Sequence, residues 1–262
     1  MSYSTLSIDW EDFGQLLGMY HYNQVTAPVN GAIERQTSIM LDMLDETNSK
    51  ATFFILGMLA KYRPGLVKEI AARGHEIAIH GQNHKAMFSL TKEEAKNDLQ
   101  ECIDIVSGIT GEKVYGYRAP FFSVNETNLW LLELLAELGL LYDSSIFPIK
   151  MPRYGIEGFS NKDQLYELPN GKQLVELPLT VAAYGGKKWP VSGGGYIRLM
   201  PKFFVNKVFN DLSKKQQDSM IYMHPYEFDT AHLDVTSNFP AGAGYSRLNV
   251  LALNLRWNLF RN

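Results

Sequence analysis

Residues 76–98 read EIAIHGQNHKAMFSLTKEEAKND and join a short apolar run, two histidines and the start of a helix. The run at 75–79 is typical of a buried strand, and His80 and His84 follow it directly. The residues TKEE at 91–94 have the spacing of a capping box, which predicts a helix that runs to about residue 106. A strand, a polar turn and a helix in this order are typical of one βα unit of a parallel sheet.

The same alternation continues on both sides of this unit. It predicts further strands at 3–9, 50–56, 113–117, 140–145 and 219–225, and further helices at 31–48, 64–74 and 123–138. A second capping box, Ser123 to Glu126, is expected to open the last of these helices. The pattern favours an α/β fold with a parallel sheet, either a barrel or a doubly wound open sheet.

Two segments depart from the alternation. Residues 148–200 contain many glycines and prolines, including SGGG at 192–195, and we expect hairpins and loops there. The tail at 246–262 is amphipathic, and a helix packed on the barrel is favoured over a membrane or partner contact. We predict a single catalytic domain over residues 1–262, with 148–200 as its loop-rich part.

Composition excludes several classes of protein. Apolar residues make up 45% of the 262 residues, which is enough for a sizeable core, and the net charge of -3 argues against nucleic-acid binding by bulk charge. With Cys102 as the one cysteine, an internal disulfide framework and Cys-rich zinc motifs are ruled out. Neither a leader-like N-terminus nor a long apolar run is present, so we expect a cytoplasmic protein without a transmembrane segment.

Polar clusters follow five of the predicted strands. Because the carboxyl ends of parallel strands meet at one rim of such a fold, we expect these clusters to lie close together. The clusters begin at Asp9, His80, Arg118, Asp143 and His224.

The first two clusters have the composition of a metal site. The spacing of His80 and His84 puts both imidazoles on one face of a helical turn, and a carboxylate would complete a three-ligand site with an open position. Such a site suits a divalent metal, either Zn²⁺ or Fe²⁺. Among the nearby acids, Asp9 and Glu11 share a face if the strand continues, and Asp12 joins them only if the chain has turned.

The remaining clusters have the composition of catalytic groups. Arg118 can hold a base carboxylate by hydrogen bonds, and the backbone N–H of Phe121, after Pro120, can act as an oxyanion donor. His224 can act as a general acid towards a leaving amine. Each of these residues also has a purely structural interpretation, such as a surface ion pair or a core histidine.

Taken in order, these motifs resemble the polysaccharide deacetylase family, also called the NodB-homology family or carbohydrate esterase family 4. The resemblance covers about residues 5–228 and depends on HxxxH followed by LTKEE, on GYRAPFFS and on MHP. It implies a distorted (β/α) barrel and a metal-dependent removal of acetyl groups from N-acetylated sugars. The motifs DWED and YDSSIFP look most like a subgroup linked to exopolysaccharide and O-antigen biosynthesis.

The resemblance also implies roles for individual residues. Asp9 matches the catalytic base, Arg118 the arginine that holds it, His224 the catalytic acid, and Phe121 the residue whose N–H stabilises the oxyanion. His80 and His84 match metal ligands. Zn²⁺ is the first expectation, with Co²⁺ or Fe²⁺ as alternatives, no organic cofactor is expected, and the expected partner is an N-acetylated saccharide or glycan precursor.

Two departures from the family pattern leave positions open. The first motif is Asp9-Trp10-Glu11-Asp12 instead of two adjacent aspartates, so the third ligand is Asp12 or Glu11, and we favour Asp12. The fourth motif offers Asp143 without the usual Asp-Trp, which leaves the partner of His224 undetermined. The alternative functions are an amidohydrolase on a cyclic ureide, as in the allantoinase-like branch, and a non-catalytic glycan-binding protein.

Overall fold

A computed structural model of the chain describes residues 4–14, 17, 32–151, 154–233 and 246–258, and the description below concerns these residues. Its main feature is an eight-stranded sheet of order β10-β1-β2-β3-β4-β5-β7-β6 that curls into a half-barrel. Every neighbouring pair in it is parallel except β6 and β7. The strands are β1 (Ser4–Trp10), β2 (Thr52–Ile55), β3 (Glu76–Ile79), β4 (Gly116–Tyr117), β5 (Tyr142–Asp143), β6 (Gln164–Glu167), β7 (Gln173–Glu176) and β10 (Ser219–Met223).

Helices cover the outer side of this sheet, and a two-stranded hairpin lies apart from it. The hairpin consists of β8 (Val181–Tyr184) and β9 (Lys187–Pro190). The described helices are α1 (Ala32–Glu46), α2 (Gly57–Tyr62), α3 (Pro64–Ala72), α4 (Lys92–Thr110), α5 (Trp130–Glu137), α6 (Gly194–Leu199), α7 (Lys202–Lys214) and α8 (Arg247–Asn258). None of the described helices is both long and apolar enough to cross a lipid bilayer.

The core lies between the helices α1 to α5 and the sheet. Helical spacing on α1 turns Met40, Leu41 and Leu44 inward, where they join strand residues such as Phe53 and Ile79 in one buried cluster. Removing this apolar surface from water is the main stabilising contribution, at roughly 25 cal/mol per Å².

Local sequence signals explain several element boundaries. The first capping box forms as predicted, because the Glu94 backbone N–H donates to Thr91 Oγ1 at 3.2 Å and the Thr91 N–H donates to Glu94 Oε2 at 2.8 Å. Gly111, with φ of 74°, ends α4 in the left-handed conformation that favours glycine. The helix is therefore four residues longer than the predicted end near Val106.

The second predicted capping box is wrong. Ser123 Oγ donates to the Pro120 carbonyl at 2.6 Å and accepts from the Met87 N–H at 2.8 Å, so it is not available to cap a helix. A turn closed by Asn125 and Asn128 follows, and α5 begins only at Trp130. Ser123 thus anchors the loop after β4 and does not cap a helix.

The fold confirms the prediction of an α/β barrel-like architecture with a parallel sheet. The loop-rich part at 148–200 contains the hairpins expected there, but it also contributes β7, which continues the parallel sheet beside β5. The amphipathic tail forms α8, whose Leu253 and Trp257 pack against a small cluster around Phe13 and Tyr226. Residues 259–262 lie outside the described part of the chain.

Candidate active site

The carboxyl ends of four parallel strands bring the candidate residues to one rim of the sheet. Asp9 lies at the end of β1 and is 2% exposed, and His80 follows β3. Arg118 follows β4 and is completely buried, and His224 follows β10. β1 lies between β10 and β2 and pairs with both, so it joins the strand that precedes His224 to the rest of the sheet.

Three side chains form a compact group of metal-ligand type. One oxygen of Glu11 and one ring nitrogen each of His80 and His84 all lie within 4.8 Å of one another, and all three residues are buried. Among the described residues, Asp12 is not part of this group. The structure thus groups Glu11, the alternative to the favoured Asp12, with the two histidines.

A tight turn at the end of β1 accompanies this arrangement. β1 ends at Trp10, and the Glu11 backbone N–H donates to the Asp9 carbonyl at 3.1 Å, so the chain turns there and Glu11 joins the histidines. Asp12 lies past this turn, and its Oδ1 accepts a hydrogen bond from the Gly14 N–H at 2.9 Å.

The orientation of His80 fits a metal ligand. Its Nδ1 lies 2.8 Å from the Arg118 carbonyl oxygen, which can only accept, so Nδ1 carries the hydrogen and Nε2 keeps its lone pair. Burial lowers the pKa of His80 to about 4, against the opposing charge of Asp9, which favours the neutral ring that a metal requires.

Glu11 is the acid of this group and is 2% exposed. Burial alone would raise the pKa of Glu11, but the positive charge that His84, His224 and His80 can carry lowers it to about 2. Its Oε2 has no hydrogen-bond partner among the described residues, although His84 Nε2 lies 2.5 Å away. A buried carboxylate grouped this closely with two imidazoles is a donor set that suits a divalent cation.

Asp9 and Arg118 form a buried ion pair beside this group. Arg118 Nη1 donates to Asp9 Oδ1 at 2.7 Å and to Ser7 Oγ at 2.8 Å, while Nε and Nη2 donate to the carbonyl and hydroxyl oxygens of Ser144 at 3.0 and 2.9 Å. The guanidinium also lies over the ring of Phe54, 4.1 Å from its centroid. Arg118 therefore fixes Asp9 from one side and is itself held by the strand ends around it.

Phe121 forms the wall beside His84. The two rings are edge to face with centroids 4.5 Å apart. Phe121 has φ of 58° and Phe122 has φ of 52°, a conformation that costs energy in residues other than glycine. Such strain is common where backbone groups are held for function.

His224 has its partner in the same short motif. Glu227 Oε2 lies 3.0 Å from the His224 Nδ1 and accepts the His224 backbone N–H at 3.0 Å. On the other side of the ring, His224 Nε2 lies 3.3 Å from Glu11 Oε1. Burial opposes protonation, but Glu227, Glu11 and Asp9 together raise the pKa of His224 to about 9.

The sequence contains a signal for this pair in the spacing of its two residues. His224 and Glu227 are three residues apart with Pro225 between them, which is the spacing of a capping box. Asp143, the other candidate partner, instead lies opposite Glu176 in the strand pair β5 and β7. The serine pair at 144–145 was also assigned no role, although Ser144 holds Arg118 and Ser145 accepts the Ala119 N–H at 2.7 Å.

The remaining histidines and aromatic residues lie elsewhere. His75 Nδ1 accepts the Ala51 N–H at 3.3 Å and His232 is exposed, while His21 lies outside the described residues. Trp189 lies on β9 and is 44% exposed. Tyr196 shares a hydrogen bond with Tyr154 through their hydroxyls at 2.6 Å.

Comparison with protein families divides the chain into two matched parts. Residues 29–142 match the family described as polysaccharide deacetylase. Residues 144–255 match a domain of unknown function, DUF3473. His80, His84 and Arg118 fall in the first part, and His224 with Glu227 falls in the second.

Two curated proteins illustrate the sequence similarity. A peptidoglycan deacetylase-like protein of Gibberella zeae is 33% identical over 148 residues, which is 55% of this chain and 38% of that protein. A peptidoglycan-N-acetylglucosamine deacetylase of Bacillus cereus is 34% identical over 98 residues, which is 37% of this chain and 36% of that protein. The similarity thus spans well under half the length of these relatives.

One solved structure matches the chain over almost its full length. A crystal structure from Mycobacterium smegmatis, described as a polysaccharide deacetylase, aligns with a TM-score of 0.60 over 99% of this chain and 84% of that one. The sequences are 20% identical, so the match supports the fold alone.

Proposed function

Because the chain contains a polysaccharide deacetylase domain of the NodB type, we propose that it is a metal-dependent hydrolase that removes acetyl groups from N-acetylated sugars. The observation that carries this proposal is the group of Glu11, His80 and His84, with Asp9 and His224 beside it. A base, an acid and a three-ligand cluster in one place are the parts that amide hydrolysis needs.

Glu11, His80 and His84 would hold the metal. Two imidazole nitrogens and one carboxylate oxygen suit Zn²⁺, and they also suit Co²⁺ and Fe²⁺. When bound, the ion would polarise the amide carbonyl and lower the pKa of a water molecule towards about 7.

The chain's own residues account for the proton transfers. Asp9, held in place by its hydrogen bond from Arg118, takes a proton from the attacking water, whose oxygen forms a bond to the amide carbon. The Phe121 N–H donates to the amide oxygen as negative charge develops on it. His224 gives a proton to the amide nitrogen as the C–N bond breaks, which leaves acetate and a free amino sugar.

The substrate belongs to the N-acetylated saccharides. The names of similar proteins support this class, since they include deacetylases of peptidoglycan and of chitin. The finer assignment to exopolysaccharide or O-antigen biosynthesis is supported by the motifs DWED and YDSSIFP of this sequence alone.

The test is acetate release by the purified chain. The protein is stripped of metal, reloaded with Zn²⁺ or Co²⁺, and incubated with N-acetylglucosamine oligomers, peptidoglycan fragments and a nucleotide-linked N-acetyl sugar. We expect metal-dependent acetate release from at least one of these, and a loss of about 100-fold or more in Asp9→Asn. Metal binding without acetate release from any of them, together with hydrolysis of a cyclic ureide, would overturn the proposal in favour of the amidohydrolase alternative.

A further inference from the structure

Glu227 is buried behind His224, on the side away from Glu11. Its side chain is 2% exposed, and its Oε2 contacts both the backbone N–H and the ring Nδ1 of His224 at 3.0 Å. A carboxylate oxygen can only accept, so these contacts require the hydrogen of the ring to be on Nδ1. The other ring nitrogen, Nε2, is thereby directed to Glu11 and the rim of the sheet.

The glycine run at 193–195 makes room for this carboxylate. A Cβ atom on Gly194 would lie 2.4 Å from Glu227 Oε2, and one on Gly193 would lie 2.4 Å from the Tyr222 hydroxyl. The start of α6 can therefore pack directly over Glu227 only because these positions have no side chain. Gly195, by contrast, has nothing within 4 Å of the position of a Cβ.

Two further contacts hold the arrangement. Arg198 lies one turn along α6 from Gly194, and its Nη2 is 3.8 Å from the second oxygen of Glu227. Tyr226 stacks on the His224 ring with centroids 4.9 Å apart and an angle of 11° between the planes. The imidazole is thus fixed by a carboxylate at one edge and by a ring on one face.

We propose that Glu227 positions His224 and thereby directs Nε2 as the proton donor to the leaving amine. The absence of a side chain at Gly194 leaves room for the Glu227 carboxylate, and Arg198 lies beside its second oxygen. This inference rests on the proposed function, in which His224 supplies that proton. It gives the region at 144–255 a role, because that region contributes His224, Glu227, Gly194 and Arg198 to an active site whose metal cluster lies outside it.

The test compares two kinds of substrate. An N-acetyl sugar needs a proton on its leaving nitrogen, whereas 4-nitrophenyl acetate has a leaving group that needs none. The variants are Glu227→Ala, Glu227→Gln and Gly194→Ala, with Gly195→Ala as the matched control in the same glycine run. The bound metal is measured in each variant, and the hydrogen on His224 Nδ1 is followed as a downfield imidazole N–H resonance in proton NMR.

We expect Glu227→Ala and Gly194→Ala to lose about 10- to 100-fold in kcat/KM on the N-acetyl sugar and less than about 3-fold on the aryl ester. Both should lose the downfield resonance and keep their metal. Glu227→Gln, which retains an acceptor oxygen, should keep the resonance and part of the activity, and Gly195→Ala should match the wild type.

Equal losses on both substrates, or a downfield resonance that persists in Glu227→Ala, would overturn the inference. So would an effect of Gly195→Ala as large as that of Gly194→Ala. The NMR comparison does not depend on catalysis. The wild type could release no acetate and still show the resonance, with Glu227→Ala losing it. That outcome would refute the proposed function and leave the role of Glu227 in positioning His224 intact.

Discussion

At the scale of single residues, Asp143 and Glu176 are two carboxylic acids buried side by side. They lie opposite each other in β5 and β7, and neither is exposed. Ser145 Oγ donates to Asp143 Oδ1 at 2.5 Å and the Ile146 N–H donates to Glu176 Oε1 at 3.0 Å, while Asp143 Oδ2 and Glu176 Oε2 have no partner among the described residues. One proton shared between these two oxygens satisfies both of them.

The titration of this pair predicts a pH-dependent stability. Burial raises the pKa of Asp143 to about 6 and raises that of Glu176 as well, with Arg118 as an opposing charge and Tyr117 nearby. The folded pair therefore holds more protons than the unfolded chain, whose carboxyl groups have pKa values of about 4. The protonated pair therefore stabilises the folded state fully below about pH 4, and this stabilisation is lost as the pH rises through 6.

Glu176→Gln should flatten this dependence, because a neutral amide replaces the acid that holds the proton. As the pH rises from 5 to 8, the free energy of unfolding should fall in both proteins. We expect this fall to be smaller by about 1–3 kcal/mol in Glu176→Gln than in the wild type. Urea unfolding at several pH values measures this, with Glu167→Gln on the exposed face of β6 as control. Parallel curves for Glu176→Gln and the wild type would contradict the shared proton.

Residue types at strand ends were sufficient to predict most of the side chains that meet, although Asp143 lies against Glu176 instead. The structure brings Asp9, His80, His84, Arg118 and His224 to one rim, as the order of strands indicated. The choice between Glu11 and Asp12 depended on the residue at which β1 ends, which a sequence pattern fixes only to within a few residues.

At the scale of elements, α4 supports the loop that carries His80 and His84. Asp98 on α4 accepts the Gln82 N–H at 2.7 Å and the Asn83 side-chain amide at 3.1 Å. Gln82 and Asn83 lie between His80 and His84, and His84 itself has φ of 52°. The helix thereby holds the loop in a strained conformation that its own sequence does not favour.

Asp98→Ala should weaken metal binding by about 10- to 100-fold, because groups that orient ligands contribute affinity of that size. Thr91→Ala is the matched control on the same helix, since loss of the cap should cost about 1 kcal/mol in free energy of unfolding with metal affinity unchanged. Zn²⁺ affinity by competition with a chromophoric chelator, beside thermal unfolding, separates the two effects. Equal metal affinity in Asp98→Ala and the wild type would show that α4 does not position the loop.

Strands and helices with strong local signals were predicted correctly. β2 and β3 are short apolar runs, and α4 has a true capping box. β7 was missed because its sequence, QLVE, lies among turn residues and gains its place from pairing with β5. Ser123 could not be placed because its hydroxyl bonds to a loop 36 residues away, a contact that local sequence does not encode.

At the scale of the whole molecule, the sheet pairs strands from distant parts of the chain, since β7 and β10 lie within the match at 144–255 while β1 precedes both matches. β10 pairs with β1 in the register Ile8 to Met223, and this pairing brings His224 next to Glu11. β5 pairs with β7, which lies in the second part. The candidate active site therefore combines Asp9 and Glu11, which precede both matches, with residues of the first matched part and with His224 of the second.

The last described helix connects the far end of the chain to the site. Trp257 on α8 packs edge to face on Phe13 at 5.3 Å and on Tyr226 at 6.3 Å, and Tyr226 stacks on His224. Trp257→Ala should lower the free energy of unfolding by about 2–4 kcal/mol and reduce acetate release, because Tyr226 loses its support.

Leu248→Ala on the same helix is the control, since Leu248 is 77% exposed and should contribute almost nothing to either quantity. Urea unfolding and steady-state acetate release are measured on both variants. A Trp257→Ala protein with wild-type stability and activity would show that α8 does not support the site.

The central claim is that Glu11, with His80 and His84, forms a metal site from which Asp12 is excluded. The most direct measurement is Zn²⁺ content and affinity, by mass spectrometry of the metal and chelator competition, for the wild type, Glu11→Gln and Asp12→Asn. Asp12→Asn keeps an oxygen that can accept the Gly14 N–H, so it is a fair control. We expect about one Zn²⁺ per wild-type chain, a loss of about 100-fold or more in affinity in Glu11→Gln, and a change of less than about 3-fold in Asp12→Asn. Weak binding in Asp12→Asn with normal binding in Glu11→Gln, or no binding by the wild type, would contradict it.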